Sequence, residues 1–246
     1  MLLVAFWASI SLINSFLAMR GMSFLEKLYF SFANSYVFFS GLGIAAVLFL
    51  ASRFTPPKSE METTQALKHW LFVCTCMTGM LICFVCIFAL FYPKAANVWS
   101  NAANAMSFTN TAQVIEVPLL PAIKELMDTI TPFQASLFQL ILFYLCMLLY
   151  GLAYLLVLTI MKNSILAAIS IYIFHIIGQY TIDTWPQWAA IIPHSYFFLQ
   201  YYGEWNPFPL FSINSGAIRI IILLLLTTIA IILLNKIRTS NLVRKA

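Results

Sequence analysis

Charge is what this sequence lacks. Asp, Glu, Lys and Arg make up only 9% of its 246 residues, against about 25% in an ordinary soluble domain. Hydrophobic residues make up 62%, and the mean hydropathy is +0.91. A globular core of this size cannot take up so much apolar side chain, so lipid must solvate much of the surface. No polar stretch is long enough to form a separate soluble domain, which leaves a single membrane domain over residues 1–246. The net charge of +5 is scattered near the ends of apolar runs. With no basic stripe, it reads as a topology signal and excludes nucleic acid as a partner.

The motifs that would carry chemistry are also missing. There is no GxxxxGK[ST] loop to cradle phosphates, so the chain does not hydrolyse ATP by itself. There is no HExxH, and no pair of acids stands at helical spacing inside an apolar run. Catalytic, cofactor-binding and metal-ligating residues are therefore not expected, and the chain does not read as an enzyme. Cysteine occurs five times, at Cys74, Cys76, Cys83, Cys86 and Cys146, always within apolar runs. That placement argues against an extracellular disulfide framework. Cys83 and Cys86 make a CxxC spacing but lack the further ligands a soft metal would recruit. No internal repeat stands out.

What the sequence does have is long apolar runs. A span needs about 20 predominantly apolar residues, and six segments qualify: residues 2–19, 29–52, 70–92, 133–161, 164–180 and 217–234. The expected fold is all-α, a polytopic bundle of six transmembrane helices. The first run has no positive n-region and no A-x-A-like site before Arg20, so it reads as a retained span and not as a cleaved signal.

Lys and Arg in the short linkers set the direction. Arg53, Lys58, Lys68, Lys162, Lys236, Arg238, Arg244 and Lys245 fall on one side, eight in all, against five on the other: Arg20, Lys27, Lys94, Lys124 and Arg219. The richer side is cytoplasmic by the positive-inside rule, giving N-in and C-in. Two long outer segments follow. In PLLPAIKELMDTITP, Pro121 suits a first helical turn, and Leu119, Ile123, Leu126 or Met127, and Ile130 repeat at helical spacing. This predicts a short amphipathic helix at the outer interface, packed on its own domain. The second outer segment, about 181–216, carries Trp185, Trp188, Tyr201, Tyr202 and Trp205, which fit an interfacial aromatic belt. Its apolar stretch around Pro193 is too short to cross and reads as a re-entrant or surface helix.

Three features stand out as candidate sites. His175 is the only ionisable side chain well inside a span, apart from Cys and Tyr. Intramembrane ionisable groups are costly and default to a functional role. Ser164, Ala168, Tyr172, His175 and Gln179 recur at spacings of three or four, a small or polar stripe facing either a helix interface or a pathway. In the second run, Asn34, Ser35, Gly41 and Ala45 supply surface for close helix contact. The third feature is RFTPPKSEMETTQALKHW. Pro56 and Pro57 break the preceding helix, and Ser59 with Glu62 makes a capping-box pattern that starts a new one. Glu60 and Glu62 suit its positive N-terminal end and Lys68 its C-terminal end. This predicts a short polar cytoplasmic helix over about 59–69, either a simple connector or a docking surface for a cytosolic protein.

With these features in place, the sequence resembles the six-span permease subunits of bacterial ABC exporters of the type-two class, including those of antimicrobial-peptide export and immunity systems. The resemblance is architectural and covers about residue 29 to the C-terminus. It rests on the inside-inside six-span pattern, the helix after span two, the broken apolar segment before span six and the basic tail NKIRTSNLVRKA. The stretch TPFQASLFQLILFYLCMLLYGLAYLLVLTIMKNSILAA, with its tight MKNS turn, also looks like spans four and five of such permeases. One element of that pattern, an amphipathic helix ahead of the first span, does not stand in these residues.

The resemblance implies a second permease copy or paralogue, surrounding membrane lipid, and a cytosolic ATPase subunit that brings ATP and Mg. It makes Ser59, Glu60, Glu62 and Lys68 the docking candidates. It further implies a multi-pass protein of a bacterial cell membrane that moves an amphipathic or hydrophobic substrate, a peptide toxin, antibiotic or lipid. The rival expectation is a non-transporting membrane protein acting in immunity, assembly or sensing. An intramembrane enzyme centred on His175 and an ion-gradient carrier rank below both.

Overall fold

The computed structural model describes residues 21–33, 60–91, 96–103, 126–184 and 213–243. The expected first span, most of the expected second, Ser59, residues 119–125 of the expected amphipathic segment and the expected aromatic belt lie outside these. Among the described residues the chain is all-helical, with no strand. The elements are α1 (Phe24–Ala33), α2 (Glu60–Phe91), α3 (Pro132–Met161), α4 (Ser164–Thr184) and α5 (Ile213–Val243).

The helix α3 is the hub, packing against α1, α2, α4 and α5. Its start follows from local sequence. Thr131 is the N-cap and Pro132 supplies a residue without an N–H at the first turn. Thr131 and Gln134 form a reciprocal capping box, in which the Thr131 amide donates to Gln134 Oε1 at 3.0 Å and the Gln134 amide donates to Thr131 Oγ1 at 3.4 Å. Its end is the MKNS turn. Lys162 takes the left-handed conformation (φ 57°), and its amide closes on the Leu158 carbonyl at 2.8 Å. Asn163 Oδ1 then accepts from the amides of Ile165 (3.0 Å) and Leu166 (3.1 Å), which caps α4. Two residues thus reverse the chain into an α3–α4 hairpin.

At the opposite end of α3, three segments are knotted together. Ser23 and Glu26 form a second capping box at the start of α1: the Ser23 amide donates to Glu26 Oε2 at 2.5 Å and the Glu26 amide to Ser23 Oγ at 3.4 Å. The other oxygen of this fully buried carboxylate accepts from the Ser100 amide. Trp99 lies edge-on to Tyr29 and Phe30, with centroids at 5.7 and 6.2 Å, and its indole N–H donates to the Ile130 carbonyl at 2.8 Å. Ser136 Oγ donates to the Leu25 carbonyl at 2.8 Å. Lys27 is buried beside this knot, and burial lowers its ammonium below the usual lysine range.

Of the segment expected to form an amphipathic helix, the described part packs inward, with Leu126 and Met127 both in the core. The two sides of the bundle differ. The inward stripe of α5 runs through Ile220, Ile231 and Asn235, while its outward face is a run of exposed Ile and Leu from Ile218 to Ile237. The hydroxyls of Thr227 and Thr228 are satisfied by the carbonyls of Leu223 (2.7 Å) and Leu224 (2.8 Å), which lets them sit in an apolar helix. Among the described residues, two stretches, Pro132–Met161 and Ile218–Ile237, are long and apolar enough to cross a membrane. At 1.5 Å per residue the second spans about 30 Å, the thickness of a hydrocarbon core. A third apolar helix, Ser164–Gly178, is shorter.

Candidate functional site

The segment over about 59–69, expected to form a separate short cytoplasmic helix, does not stand apart. From Glu60, the first described residue here, the helix runs without interruption to Phe91. The reason is local: between Glu60 and Phe91 there is no proline, and the single glycine, Gly79, lies mid-helix. The change from polar to apolar near Trp70 marks a change of surroundings and not an end of hydrogen bonding. Lys68 therefore sits in a helix interior, and the macrodipole rationale given for it does not apply.

The first turns of α2 are two-faced. Thr63 and Trp70 are buried, with Ala66 and Leu67 partly so, whereas Met61, Glu62, Thr64, Gln65, Lys68 and His69 are exposed. Glu62 and Lys68 thus lie on the outward side. Further along, the Trp70 ring covers Gly151 of α3 so closely that a Cβ there would fall inside the indole. The Trp70 N–H donates to the Leu148 carbonyl at 3.3 Å. Asn235 of α5 closes the third side, its side-chain amide donating to Thr63 Oγ1 at 2.6 Å, with both residues buried.

The polar stripe on α4 divides. Ala167, Ala168, Ile171, His175 and Gly178 face inward and Ser164 is half-buried, but Tyr172 is 38% exposed and points away. The side chain of Gln179 lies outside the described set. His175 meets Tyr150 of α3: the hydroxyl and Nδ1 are 2.6 Å apart, and the rings meet edge to face at 5.5 Å and 67°. Both residues lie more than two turns from the MKNS reversal, well inside the apolar hairpin. The pair links α3 to α4 in a low-dielectric layer, where a polar side chain needs a protein partner. One turn along α3, the Tyr154 hydroxyl is buried with no hydrogen-bond partner among the described residues.

Cys74 and Cys146 are buried in the α2–α3 contact, while Cys76 and Cys83 face outward; all four are free thiols. Among the described residues, no group of three or more His, Cys, Asp or Glu side chains is placed to hold a metal ion. Sequence reading missed Tyr150 and Asn235. Tyr150 is one of many aromatics in its run, but Asn235 was visible as a lone amide ending an apolar stripe spaced at three and four. No family model, curated protein or solved structure matches this chain.

Proposed function

We propose that this chain is a multi-pass membrane permease subunit of an ATP-driven exporter, working with a separate ATPase subunit that docks on the first turns of α2. Six spans with both ends in the cytoplasm, a second permease copy, and an amphipathic peptide or lipid-like cargo complete the reading.

The observation that carries it is the two-faced start of α2. An apolar helix is continued by about two and a half turns whose outward face, Met61, Glu62, Thr64, Gln65, Lys68 and His69, is exposed. A cytosolic protein that pushes on this face moves a helix anchored against α3 by Trp70. Such a rigid lever suits a permease whose energy is supplied from outside the chain. The exposed apolar faces of α4 and α5 support the membrane part of the reading, since soluble proteins rarely leave so continuous an apolar surface uncovered.

The test is co-expression with the neighbouring genes of the source genome and purification in mild detergent. The expected result is a co-purifying ATPase bearing a Walker A loop, released by reversing charge with Glu62→Lys. Purification without any ATPase, together with biological function that needs no nucleotide, would establish the non-transporting alternative.

A further inference from the structure

The hydrogen bond between Asn235 and Thr63 spans 172 positions of sequence and joins the last membrane helix to the first turns of α2. Both side chains are 2% exposed. An amide on the inward stripe of an otherwise Ile- and Leu-rich helix is expensive to bury unless it is paired. The stripe below it, Ile220 and Ile231, is apolar and would accept many registers against a neighbouring helix. A single buried Asn in such a stripe is the best-attested device for fixing one register at the expense of others. Apart from Trp70, the inward side of this part of α2 offers Ala66 and Leu67, which are only partly buried. The Thr63 contact is therefore the fixed point beyond the apolar layer.

We propose that Asn235 and Thr63 form a register latch that locks the cytoplasmic turns of α2 to the end of α5, so that the two helices move as one body. Asn235 is then a positioning residue for the exposed face of α2. The latch is a property of the fold, and its meaning for partner docking rests on the function proposed above. A push on Glu62 and Lys68 is carried to α5 as well as to α3, because α5 is clasped where the push is applied. Thr63 and Asn235 supply the clasp through one N–H donor and one hydroxyl acceptor.

The test is amide hydrogen exchange on the full chain in lipid nanodiscs, comparing wild type with Thr63→Val, Asn235→Leu and the swapped pair Thr63→Asn with Asn235→Thr. Thr63→Val keeps the side-chain shape and removes the acceptor. In both single variants, exchange over residues 60–69 and 236–240 is expected to rise together by about tenfold, with residues 140–158 of α3 unchanged. The swapped pair is expected to recover most of the protection. Unchanged exchange over 60–69 in Thr63→Val and Asn235→Leu would overturn the latch, as would a rise confined to one of the two segments. If the latch behaves as expected but Glu62→Lys releases no ATPase, the latch stands and the docking reading fails.

Discussion

The contact between Trp70 and Gly151 gives the sharpest test of the packing. Replacing Gly151 by Ala adds one methyl group to a helix interior, where residue preference alone favours Ala by about 1 kcal/mol. The same methyl would fall inside the Trp70 ring. That ring cannot give way cheaply, being 1% exposed and tied to the Leu148 carbonyl. Moving it loses a hydrogen bond worth about 1 kcal/mol and forces an overpacked core, which costs about 1–3 kcal/mol. The penalties exceed the propensity gain, and the net expectation is a loss of about 2 kcal/mol. SDS-titrated unfolding in mixed micelles, followed by far-UV circular dichroism, measures it. The companion variant Trp70→Leu removes the obstacle, and in that background Gly151→Ala should stabilise. A Gly151→Ala protein more stable than wild type, with Trp70 intact, would show that α2 and α3 do not approach as described.

Three further expectations rest on separate features. Tyr150→Phe and His175→Phe should each destabilise by about 1 kcal/mol, as interhelical polar pairs in membranes do, and the double variant should cost little more than either single one; additive losses in the same unfolding assay would mean that the two side chains are not paired. At the MKNS turn, Asn163→Ala removes the α4 cap and should cost about 1 kcal/mol. Lys162→Gly should be neutral or stabilising there, because Gly takes the left-handed conformation without penalty, while Lys162→Val should destabilise; equal stability of the Gly and Val variants would refute the turn geometry. For Lys27, burial lowers the folded-state value while the unfolded chain keeps the ordinary one. The unfolded state therefore holds the extra proton in the window just below the ordinary lysine value, so stability should rise with pH there. Lys27→Met should flatten that rise, and a slope unchanged by the substitution would assign it to another group.

Much of the helical framework was legible because apolar runs and caps are local signals. The Thr131–Gln134 box and Pro132 stand in the sequence as T-P-F-Q, and the Ser23–Glu26 box as S-F-L-E. Neither box was read from the sequence, because spans were expected to begin at about residues 29 and 133, just past the caps. What no local signal carries is the identity of a distant partner. Gly151 looks like an ordinary interior glycine until the Trp70 ring is placed on it. His175 was singled out for its cost in lipid, but nothing in its neighbourhood named Tyr150 among the aromatics of α3. The stripe around it was drawn too wide, since Tyr172 and His175 are adjacent in the helical pattern yet diverge around the axis enough to face different surroundings.

The start of α2 shows why composition and conformation must be argued separately. Polar residues from Glu60 to His69 followed by apolar ones from Trp70 suggest two elements, a cytosolic helix and a span. Hydropathy reports which solvent a segment meets, whereas helix ends are set by proline, glycine in the left-handed region, and caps. None of these stands between His69 and Trp70, so the backbone ladder continues across the boundary. The consequence is mechanical. A hinged helix could be displaced with the rest of the bundle unmoved, but an unbroken helix held at Trp70 by α3 and at Thr63 by α5 cannot. Whatever binds the outward face of these turns acts on the whole length of α2, and through Asn235 on α5 too. A helix-breaking Ala66→Pro on this segment therefore separates two outcomes that a charge change leaves together. It should uncouple the outer turns from the bundle while the proposed docking residues Glu62 and Lys68 remain in the chain.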